Sequence, residues 1–205
     1  MTDAERSGAL WASALQAVAD YVAHDFRNAL NGVAVNLEVV RGRAARGAEA
    51  SAIAPFAATA AAQFEGASAA SEGLLALARP EPAPADVAAI AYRLSRLMSL
   101  KNAGAIAVVD QSDGRARTSV NPDVVRAAVA RSVLAAGGAG DRVACEISVG
   151  DGIFLLVTGS AHFLPLDPDL VAVATACGVR FATREHSLEL RFPAIDQRAT
   201  PHAAE

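Results

Sequence analysis

Apolar residues recur at three- and four-residue steps from Trp11 to Val40: Trp11, Leu15, Val18, Val22, Phe26, Ala29, Val33, Leu37 and Val40. Each residue advances about 100° around a helix, so this spacing gathers them into one stripe and predicts a single long amphipathic helix. Thr2-Asp3-Ala4-Glu5 has the form of a capping box and predicts where that helix opens. It should fade between Gly42 and Gly47. A second helix is expected with Ser51 as cap and Pro55 in its first turn. Its apolar side would be Ile53, Phe56, Ala60, Phe64, Ala67, Ala70, Leu74 and Leu77 or Ala78. A short connection between two long helices favours an antiparallel hairpin. One hairpin cannot cover both stripes, whereas two copies packed as a four-helix bundle can. A homodimer is therefore expected.

The pattern changes at Pro80. Glu81-Pro82-Ala83-Pro84-Ala85 reads as a stiff linker. Beyond it Asp86 should cap a helix reaching about Lys101, Ala105 to Val109 should form a strand, and Asn121 should cap a helix reaching about Ala136. Val143 to Val149 and Ile153 to Thr158 flank Asp151-Gly152, a hairpin signal. Asp167 or Asp169 should open a further helix, and Val179 to Thr183 should pair with Leu188 to Phe192. Helix, strand, helix, two strands, helix, two strands predicts helices on one face of a mixed sheet. The expected organisation is a helical hairpin over residues 1–79, a linker over 80–85, an α+β domain over 86–195 and a disordered tail over 196–205.

Composition narrows the function. The chain has 205 residues, is 53% hydrophobic and carries a formal net charge of −4, so no overall basic field attracts nucleic acid. Arg41, Arg43 and Arg46 cluster where they would form the cationic end of the first helix. No run of about 18 apolar residues is present, so no membrane span is expected. The acidic N-terminus lacks a signal-peptide pattern, and a cytoplasmic protein is expected. Cys145 and Cys177 lie far apart in apolar segments and are expected to be buried, reduced thiols. No Cys/His spacing suits a metal.

The polar face of the first helix carries the candidate chemistry. His24 lies about 200° from Val22 on the helical wheel, nearly opposite the stripe. Asn28 and Asn31 share its face, Arg27 lies beside them, Val35 falls on the same exposed side, and Asp25 is adjacent in sequence. A neutral imidazole nitrogen is a nucleophile that can take up and release a transferable group. Of the other histidines, His162 reads as structural, His186 as part of a charged turn and His202 as part of the polar tail. Gly137-Gly138-Ala139-Gly140 follows a helix rather than preceding one, so it reads as a C-cap and loop rather than a phosphate cradle.

His24-Asp25-Phe26-Arg27-Asn28-Ala29-Leu30 resembles the phosphoacceptor box of two-component histidine kinases, which runs His, acid, apolar, Arg, Asn or Thr, Pro, Leu. Ala29 stands in the proline position. Leu74-Leu75-Ala76-Leu77-Ala78-Arg79-Pro80 resembles the end of the family's second bundle helix. Asn121-Pro122-Asp123-Val124-Val125-Arg126 resembles the start of a helix in its ATP-binding (Bergerat, or GHKL) domain. The resemblance implies a HisKA-like dimerisation and phosphoacceptor hairpin followed by a vestigial ATPase-like α+β sandwich. It implies His24 as phosphoacceptor, Asp25 as the acid that holds the ring tautomer or takes its proton, and Asn28 as a group that can orient a water. Arg27, Asn31 and Val35 become candidates for contact with a docked partner.

The same resemblance implies losses. Ala135 stands where the family has an asparagine that helps hold magnesium, and alanine cannot ligate a cation. Val157-Thr158-Gly159-Ser160-Ala161 stands where an Asp-x-Gly-x-Gly pattern reads adenine. The segment matching the ATP lid, about Ala161 to Leu170, is short and lacks a glycine box. The expectation is a degenerate histidine kinase acting as a histidine phosphotransferase: no ATP, no cofactor or metal of its own, with magnesium supplied by response-regulator receiver domains as partners, and no nucleic-acid or membrane partner. An atypical histidine kinase or phosphatase and a non-catalytic module that binds a receiver or kinase are the alternatives.

Overall fold

The computed structural model describes residues 2–98, 106–137, 142–159 and 163–195. Among the described residues it has five helices and seven strands. Helix α1 (Asp3–Ala45) opens on the capping box: the Thr2 hydroxyl accepts from the Glu5 N–H, and the Glu5 carboxylate accepts from the Thr2 N–H. The helix runs unbroken through His24 and ends at a turn where Gly47 takes φ +72°, a value glycine adopts without a steric penalty. Helix α2 (Ala50–Ala78) returns antiparallel to α1. Its cap is Glu49 rather than Ser51, and Pro55 lies inside the helix rather than in its first turn. The turn after Gly47 is too short to reach Ser51 before the backbone becomes helical, so the start is set by chain geometry and not by a side-chain cap.

The α1 stripe divides in two. Ser7, Trp11, Ala14, Val18 and Val22 are buried, whereas Leu37 is 52% exposed. The division follows from packing: α1 lies against α2 and also against α4 (Pro122–Ala136), whose Arg131 donates to the Ser13 carbonyl in the buried first half. On α2 the buried residues are Ala60, Ala67, Ala70 and Leu77, and Phe64 is 58% exposed, off the predicted apolar side. At about 100° per residue, successive members of that seam rotate one way around the helix while Phe64 is turned the other. Leu30, Leu37, Phe64 and Leu75 are thus left exposed on the hairpin, while Tyr92, Val109 and Leu164 are exposed elsewhere.

The chain then forms a two-residue strand β1 (Ala85–Asp86), which pairs antiparallel with β3 (Arg117–Thr118). Neither strand is foreseen by the pattern, because two residues give no periodicity. Asp86 caps helix α3 (Val87–Met98), accepting from the Ala89 N–H at 3.0 Å. Strand β2 (Ile106–Asp110) lies parallel to β4 (Val143–Val149), with α4 as the crossover. Asn121 caps α4, with Pro122 at its first position. Strands β4 and β5 (Ile153–Thr158) form the hairpin at Asp151-Gly152. Helix α5 (Pro168–Ala176) is capped by Asp167, and β6 (Arg180–Arg184) and β7 (Ser187–Phe192) complete a five-stranded sheet in the order β2-β4-β5-β7-β6. The expected mixed α+β arrangement is present.

Alternation places Val143, Cys145, Ile147, Ile153, Leu155, Val157, Leu188, Leu190 and Phe192 on one face of the sheet, all buried. These residues join Trp11, Val18, Ile90, Leu94, Val124 and Val129 in one apolar cluster, so the hairpin's first half and the sheet share a core. Cys145 is buried in that face; Cys177 is exposed, contrary to expectation, because it falls at the C-cap of α5 where the chain turns outward. Both thiols are free. The expected end of α3 at Lys101, the first residue of the predicted strand at Ala105, most of the Gly137–Gly140 loop, His162 and the tail 196–205 with His202 lie outside the described residues.

Candidate functional site

Helix α1 sets the geometry. His24 projects from its polar side with a side chain 73% exposed. Its Nδ1 lies 3.3 Å from Asp25 Oδ1 and 3.1 Å from Asn28 Nδ2, and the same amide nitrogen is 3.4 Å from His24 Nε2. Two of these contacts compete. An Nδ1–H donates to the Asp25 carboxylate and cannot accept from the amide; an unprotonated Nδ1 accepts from Asn28 and leaves the proton on Nε2. The neighbours can thus hold the ring in either tautomer. The first tautomer leaves Nε2 with its lone pair available for bond formation.

The remaining sequence candidates share this side of α1. Arg27, Asn31 and Val35 are exposed, Val35 to 64%. At about 1.5 Å of rise per residue, Val35 stands about 16 Å along the helix from His24, so it belongs to a docking surface and not to the reacting group. His186 sits in the β6–β7 turn, 3.9 Å from Glu185 Oε1, on a different part of the molecule from His24. The clustered arginines divide. Arg41 pairs with Glu38 at 2.8 Å, while Arg43 donates to the Ala52 carbonyl and stacks over Phe56 at 4.4 Å, holding the hairpin turn together.

Beside the His24 face lies a cleft of about 320 Å³. Helix α1 lines it with Tyr21, Asp25, Phe26 and Asn28, helix α2 with Ala62, Gly66 and Ala67, and the end of α3 with Leu97 and Met98. Asp25 and Asn28 therefore face both the imidazole and the cleft. The cleft is absent from the sequence reading because it is a junction of three helices. The one signal for it is the run of small residues on α2, which keeps the helices close without filling the space between them.

At the other end of the α+β layer, Ala135 lies at the C-terminal end of α4 and Thr158 is the last residue of β5. The Leu164 N–H donates to the Ala135 carbonyl at 3.1 Å, so the chain at Leu164 rests on the end of α4. The cavity left there, between Arg131, Ala135, Leu164 and Asp167, is about 130 Å³. Ligand pockets span roughly 300–1,000 Å³. Among the described residues no group of three or more His, Cys, Asp or Glu side chains could hold a metal ion, and no helix is long and apolar enough to cross a membrane.

No family model and no curated protein matches the chain. Among solved structures it is similar to a bacterial phosphotransferase, at 14% identity and TM-score 0.42, covering 93% of this chain and 97% of that one. It is also similar to the blue-light activated histidine kinase of Erythrobacter litoralis, EL346, at 11% identity and TM-score 0.36, over 89% of this chain and 62% of the kinase.

Proposed function

We propose that the chain is a histidine phosphotransferase that relays a phosphoryl group between the aspartates of response-regulator receiver domains through His24, without ATP. The observation that carries this reading is the His24 imidazole: 73% exposed, on an unbroken helix, with a carboxylate and a carboxamide at one ring nitrogen. With Nδ1–H directed to Asp25, Nε2 attacks the phosphorus of an aspartyl phosphate. The N–P bond forms as the P–O bond to the carboxylate breaks, and the aspartate departs with the electron pair. Asp25 stabilises the positive charge that the ring acquires. Transfer to a second receiver is the same step reversed, a free aspartate oxygen attacking phosphorus and the imidazole leaving. The contribution of this chain is positioning, which carries most of the catalytic burden in phosphoryl transfer.

Ala135 and Thr158, standing where the resembled family has its magnesium-holding asparagine and adenine-reading acid, motivate a reading in which neither nucleotide nor a metal of this chain takes part. Magnesium belongs to the receiver. A homodimer through the distal hairpin would cover Leu30, Leu37 and Phe64, which the single chain leaves open. Localisation in the cytoplasm, with no nucleic-acid or membrane partner, belongs to the same proposal.

The test is incubation with a panel of phosphorylated receiver domains while label is followed in both proteins. His24→Ala is expected to abolish phosphate acceptance and leave folding and association intact; label retained in that variant removes His24 from the mechanism. Tight calorimetric binding of ATP with magnesium would favour an atypical kinase instead. A receiver complex that forms equally well with His24→Ala, with no phosphate moving, would favour a binding module. Asn28→Ala separates relay from receiver dephosphorylation: an unchanged rate of phosphate release excludes Asn28 as a water-orienting group.

A further inference from the structure

Arg126, on α4, is 4% exposed, and its guanidinium serves three helices at once. Nη1 donates to the carbonyls of Leu77 at 3.2 Å and Arg79 at 2.6 Å, at the C-terminal end of α2. Nη2 pairs with Asp123 on its own helix, and the guanidinium lies 4.4 Å from the ring centroid of Trp11 on α1. The carbonyls at a helix end have no donor within the helix, so Arg126 caps α2 from another layer. A buried cation persists only where acceptors surround it. This acceptor set assembles only when the hairpin and the α+β layer sit in one arrangement.

Two further contacts act in the same sense. Glu81, in the linker with its side chain 7% exposed, pairs with Arg93 of α3. Gly73 of α2 gives α3 its seat: a Cβ there would stand 3.0 Å from Leu97 Cδ1. The last described turn of α3 in turn carries Leu97 and Met98, the wall of the cleft that Asp25 and Asn28 also line. The linker is thus a strap pinned along its length rather than a spacer.

We propose that Arg126 is a positioning residue for transfer at His24, although the 13 helical steps from Trp11 to His24 place it about 20 Å away along α1. It locks the α+β layer onto the foot of the hairpin, so that the end of α3 and the His24 face form one composite docking surface for an acyl-phosphate-bearing domain. The proposal rests on the phosphotransfer reading for its kinetic consequence but not for its mechanical one.

Both consequences are measurable. Spin labels on Glu49→Cys, at the far end of the hairpin, and on the exposed native Cys177 report the distance between the two layers within one chain, in samples diluted with unlabelled protein. The native arrangement is expected to give one narrow distance distribution and Arg126→Met a broad or shifted one. With a phosphorylated receiver domain as donor, Arg126→Met is expected to raise KM about tenfold while kcat stays within about twofold, as when the competent arrangement is populated about a tenth of the time. Labelling of His24 by phosphoramidate, a donor too small to need the surface, should not change. Arg126→Lys keeps the charge but not the fork and should recover part of the KM; it is also the variant to use if Arg126→Met fails to fold. A distance distribution that matches native in both mean and width, or an unchanged KM, overturns the proposal. If native His24 takes no phosphate from either donor, the phosphotransfer reading fails, and the distance measurement still decides the clamp.

Discussion

A residue that exchanges groups with a partner must be reachable, and one that holds the core must not be. The exposed His24 meets the first condition and the buried Cys145 the second. Cys145 lies in the apolar face of β4, and burial pushes its thiol up from 9.0 to about 12. The physical cause is loss of water around the thiolate. Between about pH 9 and pH 12 the unfolded chain gives up this proton while the folded chain keeps it. Cys145 therefore contributes stability that is complete below pH 9 and declines as pH rises toward 12. A thiol reagent at pH 8 is expected to modify Cys177 alone in the native protein and both cysteines in denaturant. Fast native modification of Cys145 would contradict the burial. Chemical denaturation between pH 9 and pH 11 should show a shallower loss of stability in Cys145→Ala than in the parent.

At the scale of elements, caps and close approaches decide where helices begin and how near they lie. Thr2, Asp86, Asn121 and Asp167 each accept a backbone N–H at a helix start, and all four positions are visible as polar residues before apolar periodicity. Ser51 has the same form and does not cap α2, because the preceding turn brings Glu49 to the boundary first. Close approach is less legible. Gly66 and Gly73 occupy the same helix, yet a Cβ on Gly66 meets nothing within 4 Å and one on Gly73 meets Leu97 at 3.0 Å. Gly66→Ala is therefore expected to stabilise the protein by about 0.5–1 kcal/mol through helix propensity. Gly73→Val should destabilise it by about 1–3 kcal/mol through overpacking. Urea denaturation of the two variants should give shifts of opposite sign; two shifts of the same sign would mean that α3 does not press on α2 at Gly73.

Across the whole molecule, the core is continuous from Trp11 to Phe192, and Leu30, Leu37 and Phe64 of the hairpin are among the apolar side chains left outside it. Leu37 and Phe64 there are more than half exposed, so making them polar takes little from the single chain's packing. If the proposed homodimer forms through these residues, the double variant Leu37→Glu with Phe64→Glu is expected to keep its helical circular dichroism and to sediment at the monomer mass while the parent sediments at the dimer mass. A dimer that survives the double substitution would place the contact elsewhere. A protein that unfolds would show that the two side chains support the hairpin itself.

Local patterns, with no help from tertiary contacts, determine the long helix with His24 turned from its stripe, the helical return, the hairpin at Asp151-Gly152, the strand alternation and the caps. All of these depend on residues within a few positions of one another. The division of the α1 stripe between α4 and open surface, the exposure of Cys177 and Phe64, the strap that pins the linker and the three-helix cleft beside His24 were decided only by folding. Each joins residues that are far apart in the chain, as Arg126 does with Leu77 and Trp11. Periodicity names the face a residue shares on its own helix; what that face meets depends on where the other elements pack.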